Sequence, residues 1–375
     1  MKRIALIMAG GVGERFWPLS RKNRPKQLLP LLSEKTMIEE TIQRITPLFK
    51  NEDIFIITSE TLLEPIRRVL TMLPPENIVA EPSKRNTAPC LALGAAFIAE
   101  RYSKTHQVEE ISIAVLTSDQ SIKPNKGFIK TIGAALQQVE MNNTLCTIGI
   151  VPNRPDTGYG YIEMKEKFSG AESSTEIQPV AAFHEKPDLE TANKFVKGGK
   201  HLWNSGMFFW RLDIFIENLK LYLPEVGDKI EIMRKYYRKK THLPLPESLN
   251  SLKLIYSAFP NVSIDYGLME KANNVSVAKA LFEWDDVGSW DSLERFKKIN
   301  KNNNIIEGTV TNLNSKNSII INNSTKIKKI VACVGLEEMI VVVTDDAVLI
   351  CPKDSVQDVK KCVEQIKSEH GEYWL

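Results

Sequence analysis

The chain has 375 residues, 43% hydrophobic and 25% charged, with 49 Lys and Arg against 46 Asp and Glu for a net charge of +3. That balance excludes nucleic-acid binding by bulk electrostatics, so any anion recognition must be local. None of the five cysteines forms a C-x-x-C pair, which argues against a disulfide framework or a zinc site and for reduced thiols. No stretch approaches the roughly 20 apolar residues of a membrane span, and the apolar run at 4–9 is too short for a signal peptide. A cytoplasmic protein with neither membrane nor nucleic acid as partner is expected.

Short apolar runs at 4–8, 54–58, 113–116 and 146–150 alternate with helix-like spacing at 36–48, 61–72, 88–103 and 127–141. The alternation predicts a parallel sheet covered by helices on both faces, and such sheets bind ligands beyond the carboxyl ends of their strands. Strands at 159–163, 180–185 and 206–210, with helices at 188–198, 211–238 and 288–299, continue the sheet and add a second ligand-binding lobe. A polar break at 301–304 opens a different texture: β-rich runs at 305–310, 318–321, 329–334, 339–343 and 347–350, separated by Asn and Ser turns, then an amphipathic helix at 356–367. The expected class is α/β, a Rossmann-like, mostly parallel sheet flanked by helices over 1–300. A small C-terminal β-rich domain with a terminal helix follows over 301–375. It shows no strict repeat period, and a left-handed β-helix is one form it can take.

The first strand runs into Ala9-Gly10-Gly11-Val12-Gly13-Glu14-Arg15. Glycines let the backbone turn sharply, and their bare amides cradle phosphate oxygens. The dinucleotide fingerprint fails because Phe16 stands where a third glycine is needed, and no Gly-Lys-Ser/Thr of a P-loop follows. Alone, such a turn reads equally well as a tight bend. The longer stretch from Gly10 through Arg15, Phe16, Trp17, Pro18, Leu19 and Ser20 to Pro25-Lys26-Gln27 resembles the signature of the sugar-nucleotide pyrophosphorylases, G-G-x-G-x-R-L-x-P-L-(S/T) followed by P-K, with Phe16 in place of Leu.

Further segments carry the same resemblance. Glu81-Pro-Ser-Lys-Arg85-Asn86-Thr87-Ala88-Pro89 is similar to the base-recognition segment of the mannose-1-phosphate guanylyltransferases; Asn86 or Thr87 also suits a helix cap. Thr117-Ser118-Asp119-Gln120 ends a buried strand, where an aspartate is placed either to hold magnesium near phosphates or to form a turn; the family's usual P-A-D-H keeps only the aspartate here. Phe183-His184-Glu185-Lys186-Pro187 resembles F-x-E-K-P, and Trp203-Asn204-Ser205-Gly206-Met207-Phe208 resembles N-(S/A)-G-(M/I)-(F/Y). Trp284-Asp285-Asp286-Val287-Gly288-Ser289-Trp290 resembles W-x-D-V-G-S-W, with Ser289 or Asp285 as caps in the competing view. The segment from Asp265 to Lys271 resembles D-(Y/x)-x-(I/L/V)-M-E-(K/R) and is expected to shape a sugar pocket. The five histidines show no ligand spacing and read as mostly surface residues.

The resemblance implies Arg15 and Lys26 as catalytic cations, and Ala9, Gly10, Gly11, Gly13, Arg85, Asn86, Thr87 and Pro89 as nucleotide-binding residues. It implies Gly160, Glu185, Lys186 and Asn204 as sugar-phosphate ligands, and Asp119 and Asp286 as ligands of Mg2+. The implied reaction joins GTP and mannose 1-phosphate into GDP-mannose and pyrophosphate. A phosphate dianion attacks the α-phosphorus directly, so no protein nucleophile or general base is needed, and positioning and charge stabilisation do the catalysis. Two alternatives stay open: the same chemistry with another sugar 1-phosphate, such as a heptose, or another nucleotide; and a catalytically silent regulatory subunit, disfavoured because Arg15, Lys26, Asp119 and Asp286 are all present. Relatives with a further isomerase domain exist, and isomerase activity is not expected here. Residues 301–375 carry no reaction motif and are expected to serve stability or homo-oligomer assembly.

Overall fold

The apolar runs read from the sequence form the centre of one large sheet in the computed structural model, which describes residues 1–168, 175–240 and 246–375. The strands of the first 300 residues are β1 (Lys2–Met8), β2 (Ile54–Ser59), β3 (Ile78–Glu81), β4 (Ile111–Thr117), β5 (Ser121–Lys123), β6 (Leu145–Ile150), β7 (Tyr161–Met164), β8 (Ile177–His184), β9 (His201–Arg211), β10 (Val275–Lys279) and β11 (Glu283–Asp285). Nine of them make a sheet of order β3-β2-β1-β4-β9-β6-β10-β8-β7, with β7 also pairing to β9. The block β3-β2-β1-β4 is parallel throughout and β6 runs parallel to β10, whereas β9 lies antiparallel between β4 and β6.

β1 shows why the parallel block is central. Ile4, Ala5, Leu6 and Ile7 are all buried, as expected of a strand covered on both faces. Alternate side chains go to opposite layers. Ile4 and Leu6 pack with Leu91, Ala95 and Ile98 of the helix Thr87–Arg101. Ala5 and Ile7 pack with Ile38 and Ile42 of the helix Met37–Ile45 and Ile132 of the helix Asn125–Met141. The Met37–Ile45 helix starts at a reciprocal cap between Thr36 and Glu39.

Several elements differ from the sequence reading. The helix expected at 211–238 is three, Leu212–Tyr222, Pro224–Gly227 and Ile230–Lys240, because Pro224 has no N–H to continue the first. The expected helix at 288–299 shrinks to the 3-10 segment Trp290–Arg295, and the helix Pro246–Ser257 and strands β3, β5, β10 and β11 were not anticipated. Among the described residues no helix is long and apolar enough to cross a membrane.

Beyond residue 300 come β12 (Ile305–Glu307), β13 (Val310–Leu313), β14 (Ile319–Asn322), β15 (Val331–Val334), β16 (Met339–Val343), β17 (Val348–Pro352) and a helix Val359–His370. β12, β14 and β16 stack in parallel with Ile305, Ile319 and Ile340 in register, β13 stacks parallel on β15, and β17 closes antiparallel on β16. These are rungs of a β-helix. Asn303, just before the first of these strands, and Asn314 and Asn317, between β13 and β14, take positive φ, a conformation that asparagine tolerates.

The β-helix does not stand apart. Ile305, Ile319, Ile340, Val342 and Val363 share one buried cluster with Phe16, Trp17, Val287 and Trp290. Trp290 meets Phe16 edge-on at 5.1 Å and donates its indole N–H to the Trp17 carbonyl at 3.1 Å. Trp290→Ala should therefore cost about 3–5 kcal/mol. Denaturant unfolding followed by tryptophan fluorescence and by far-UV circular dichroism should show both parts melting in one shifted transition; two separate transitions would contradict the shared core.

Candidate active site

The turn after β1 is built around Lys26. Gly13 takes φ +70°, and a methyl there would collide with the Lys26 Cβ. Lys26 donates its backbone N–H to the Val12 carbonyl at 3.2 Å, and the Gln27 amide donates to the Ala9 carbonyl at 2.9 Å. The loop thus wraps the start of the Lys26–Leu28 turn, and of its glycines Gly13 is the one whose backbone leaves no room for a side chain. Arg15 lies exposed on the turn Glu14–Phe16.

Lys26 is 6% exposed, yet its ammonium is well satisfied. It donates to Asp119 Oδ2 at 2.9 Å and to the backbone carbonyl of Asp286 at 2.6 Å. What brings the two aspartates together is a two-stranded antiparallel ribbon. β5 pairs with β11 through Ser121–Asp285, Ile122–Trp284 and Lys123–Glu283, so Asp119 just before one strand and Asp286 just after the other emerge at the same end. Burial pushes the Asp286 carboxyl above the usual range, with Asp285 and Asp119 adding to the rise and Tyr159 and Lys26 opposing it. Each carboxylate keeps one oxygen without a protein hydrogen bond among the described residues, Asp119 Oδ1 and Asp286 Oδ2. Two ionisable hard-oxygen donors beside a phosphate-type loop fit a divalent cation that takes oxygen ligands. Asp285 does a different job: it accepts from the Val287 N–H at 2.8 Å and pairs with Arg295 at 2.6 Å. That holds Val287 at φ +47°, a strained setting for a β-branched residue.

The base segment lies beside the same loop, but its named side chains are largely engaged by the protein. Arg85 donates to the Ser257 carbonyl, the Asn86 side chain accepts from the Thr87 N–H at 2.9 Å as a helix cap, Thr87 Oγ1 accepts from the Ile264 N–H at 2.7 Å, and Pro89 is buried in the helix. Glu81 is the acidic group that faces the loop. A Cβ built on Gly10 would lie 3.4 Å from Glu81 Oε1, while Oε2 accepts from Tyr256 at 2.9 Å.

A second cluster forms where β7, β8 and β9 meet. Asn204 donates its backbone N–H to the Gly160 carbonyl at 2.8 Å and its amide to Asp265 Oδ1 at 2.7 Å, and its own Oδ1 accepts from Gly206 at 3.1 Å. A Cβ on Gly160 would lie 2.8 Å from Glu185 Oε2, so the Glu185 carboxylate lies close over that glycine. Lys186 pairs with Glu185 at 3.4 Å and holds φ +40°. Burial pushes the Asp265 carboxyl up against the bond from Asn204. Tyr159 joins the two clusters: next to Gly160 in the chain, it donates to Asp286 Oδ1 at 2.8 Å and meets Trp203 and Trp284 edge-on at 5.1 and 5.2 Å. Sequence reading named Gly160 but missed Tyr159 and left Glu81 without a role; a tyrosine between two glycines and an acid ending a strand were the available signals.

Burial also raises the Glu81 carboxyl above its usual value, partly opposed by Tyr256 and Lys84. A raised native value means that its contribution to stability is fully present below about 4.5, the ordinary value, and is lost as pH rises through the raised one. Glu81→Gln should therefore raise the melting temperature at pH 7.5, with the gain vanishing near pH 4; calorimetry across that range checks it, and a variant less stable at pH 7.5 would contradict it.

The nucleotidyl transferase family matches residues 4–303, and the mannoseP isomerase/GMP-like beta-helix domain family matches residues 308–366. A mannose-1-phosphate guanylyltransferase of Escherichia coli (strain K12) is 37% identical over 374 residues, covering 98% of this chain and 74% of that protein. The xanthan biosynthesis protein XanB of Xanthomonas campestris pv. campestris (strain B100) is 34% identical, covering 97% and 73%. A crystal structure from Thermus thermophilus, described as a mannose-1-phosphate geranyltransferase, superposes with a TM-score of 0.82 at 29% identity over 98% of this chain and all of that one. With a family match across its catalytic strands and relatives above 30% identity along nearly its whole length, the chain belongs to the mannose-1-phosphate guanylyltransferase family of nucleotidyl transferases.

Proposed function

We propose that the chain makes GDP-mannose and pyrophosphate from GTP and mannose 1-phosphate, with Mg2+ held by Asp119 and Asp286. The observation that carries the reading is the convergence of the glycine loop, Lys26 and both aspartates at one end of the β5–β11 ribbon. The loop amides and Arg15 hold the triphosphate. Lys26, already bonded to both aspartate segments, neutralises charge that gathers on the α-phosphate as the new P–O bond forms and the bond to pyrophosphate breaks. Bound Mg2+ supplies Lewis-acid polarisation and charge neutralisation at the phosphates. Glu185 and the Asn204–Asp265 pair receive sugar hydroxyls, and Lys186 the sugar phosphate. No side chain serves as a covalent nucleophile, because the incoming phosphate dianion already is one. A single displacement inverts configuration at phosphorus.

Guanine selection rests on Glu81. The free edge of guanine offers two adjacent donors, N1–H and the 2-amino group, and a carboxylate is an acceptor-only pair that matches them. Adenine and the pyrimidines of UTP and dTTP present no such donor pair. The cytoplasmic setting and a homo-oligomer assembled through the C-terminal domain belong to the same proposal; exposed Leu313, Val334 and Ile350 on the β-helix support the assembly.

Purified protein with magnesium, GTP, ATP, UTP or dTTP, and a panel of sugar 1-phosphates should release pyrophosphate fastest with GTP and mannose 1-phosphate. Preference for UTP or dTTP would overturn the guanine assignment while keeping the reaction class. Glu81→Gln should lower kcat/KM for GTP by on the order of 10-fold or more, and narrow the margin over ATP, because one donor of the base is left without its acceptor. Asp119→Asn and Asp286→Asn should each lower turnover by roughly 10² or more, and the double change by much less than the product, because both act through one ion. Near-normal turnover and magnesium dependence in Asp286→Asn would remove it from the metal site.

A further inference from the structure

Beyond the reacting groups, β7 runs between β8 and β9, and three metal-ligand side chains meet there. Tyr161 pairs with His184 on one side, and Glu163 pairs with His201 on the other. Side chains two apart on a strand share a face, and so do directly paired residues. Glu163, His184 and His201 therefore project from one face of three neighbouring strands. Glu163 Oε2 lies 3.0 Å from His184 Nε2 and 3.8 Å from His201 Nε2, and one ligand atom from each residue lies within 4.8 Å of the others. The sheet rather than a local motif brings the three together, so no spacing along the chain shows them.

The surroundings suit an ion. Phe195, from the helix Leu189–Gly198, stacks on His201 with centroids 3.9 Å apart at 16° and leans on His184 at 4.9 Å. The His201 side chain is only 12% exposed, and neither ring nitrogen has a hydrogen-bond partner among the described residues. A buried imidazole without a partner is costly, and coordination removes that cost. Glu163 and His184 are each about one third exposed, which leaves an open side for water ligands.

We propose that Glu163, His184 and His201 bind one divalent transition-metal ion of the zinc class, at a site separate from the aspartate pair. Two imidazoles and one carboxylate are the three-ligand set zinc accepts with water completing the shell, whereas an all-oxygen set suits magnesium. The position gives the ion a structural consequence. Glu163 lies three residues after Gly160, His184 directly before Glu185, and His201 three residues before Asn204. The ion ties together the three strands that carry the sugar pocket.

The test uses untagged full-length chain carrying Cys362→Ser, which removes the exposed thiol. Zinc is titrated in competition with a chromophoric chelator, and cobalt(II) is added to read ligand-field absorption. The site predicts one tight equivalent per chain, visible cobalt bands, and a zinc-dependent rise in melting temperature. Glu163→Gln, a change at a side chain about one third exposed that keeps its shape, should weaken zinc by at least about 10-fold and abolish the rise, as should His201→Asn. Asp119→Asn should leave zinc affinity unchanged. No tight equivalent in the parent chain, wild-type affinity in Glu163→Gln, or loss of binding in Asp119→Asn would each overturn the assignment.

Discussion

The arrangement depends on one buried ammonium. A lysine removed from water is tolerated only with its donors paired, and Lys26 finds its partners on two segments distant in sequence, the Asp119 carboxylate and the Asp286 backbone. Satisfying that one group fixes three things at once: the glycine loop wrapped around the Lys26 turn, the end of β4, and the strained turn at Val287. Asp119 and Asp286 are thereby held together by the protein alone, the preorganisation that the proposed catalysis uses.

The C-terminal domain supports this arrangement from behind. Phe16 and Trp17, directly after Arg15, sit in the same core as the rungs of the β-helix. The Trp17 indole donates to the Trp374 carbonyl at 2.9 Å; Arg21 donates to the same carbonyl, and to Asp346 at 2.8 Å. On the other side of the site, Val287 and Trp290 enter the same cluster. The β-helix thus braces both the segment after the glycine loop and the turn that carries Asp286, so its packing bears on the candidate site as well as on stability.

Much of this was legible in the sequence because it is local. The apolar runs of β1, β2, β4 and β6 are long enough to show burial on both faces, and the glycine loop, Lys26, Asp119 and Asp286 lie in contiguous segments that resemble family signatures. What escaped is non-local or short. β5 and β11 have three residues each, too few to show a period, yet their pairing is what joins Asp119 to Asp286. Tyr159 bridges the two clusters only because β7 lies beside β9. Arg85 and Thr87 resemble base contacts, and their side chains also bond to Ser257 and Ile264; the polar residues that tie a segment down are of the same types as those that bind ligands. Glu163, His184 and His201 come from three strands, so no spacing along the chain announced them. The break at Pro224 was present in the sequence and was overridden by the apolar periodicity around it.

If the β5–β11 ribbon and Lys26 deliver Asp119 and Asp286 to one cation, that cation can be counted. Manganese(II) replaces magnesium in many oxygen sites and is read directly by electron paramagnetic resonance, so free manganese can be titrated against the protein with GTP bound. The account predicts one manganese per chain at the aspartate pair, weakened by at least about 10-fold in both Asp119→Asn and Asp286→Asn. Manganese binding by Asp286→Asn at wild-type affinity would contradict it.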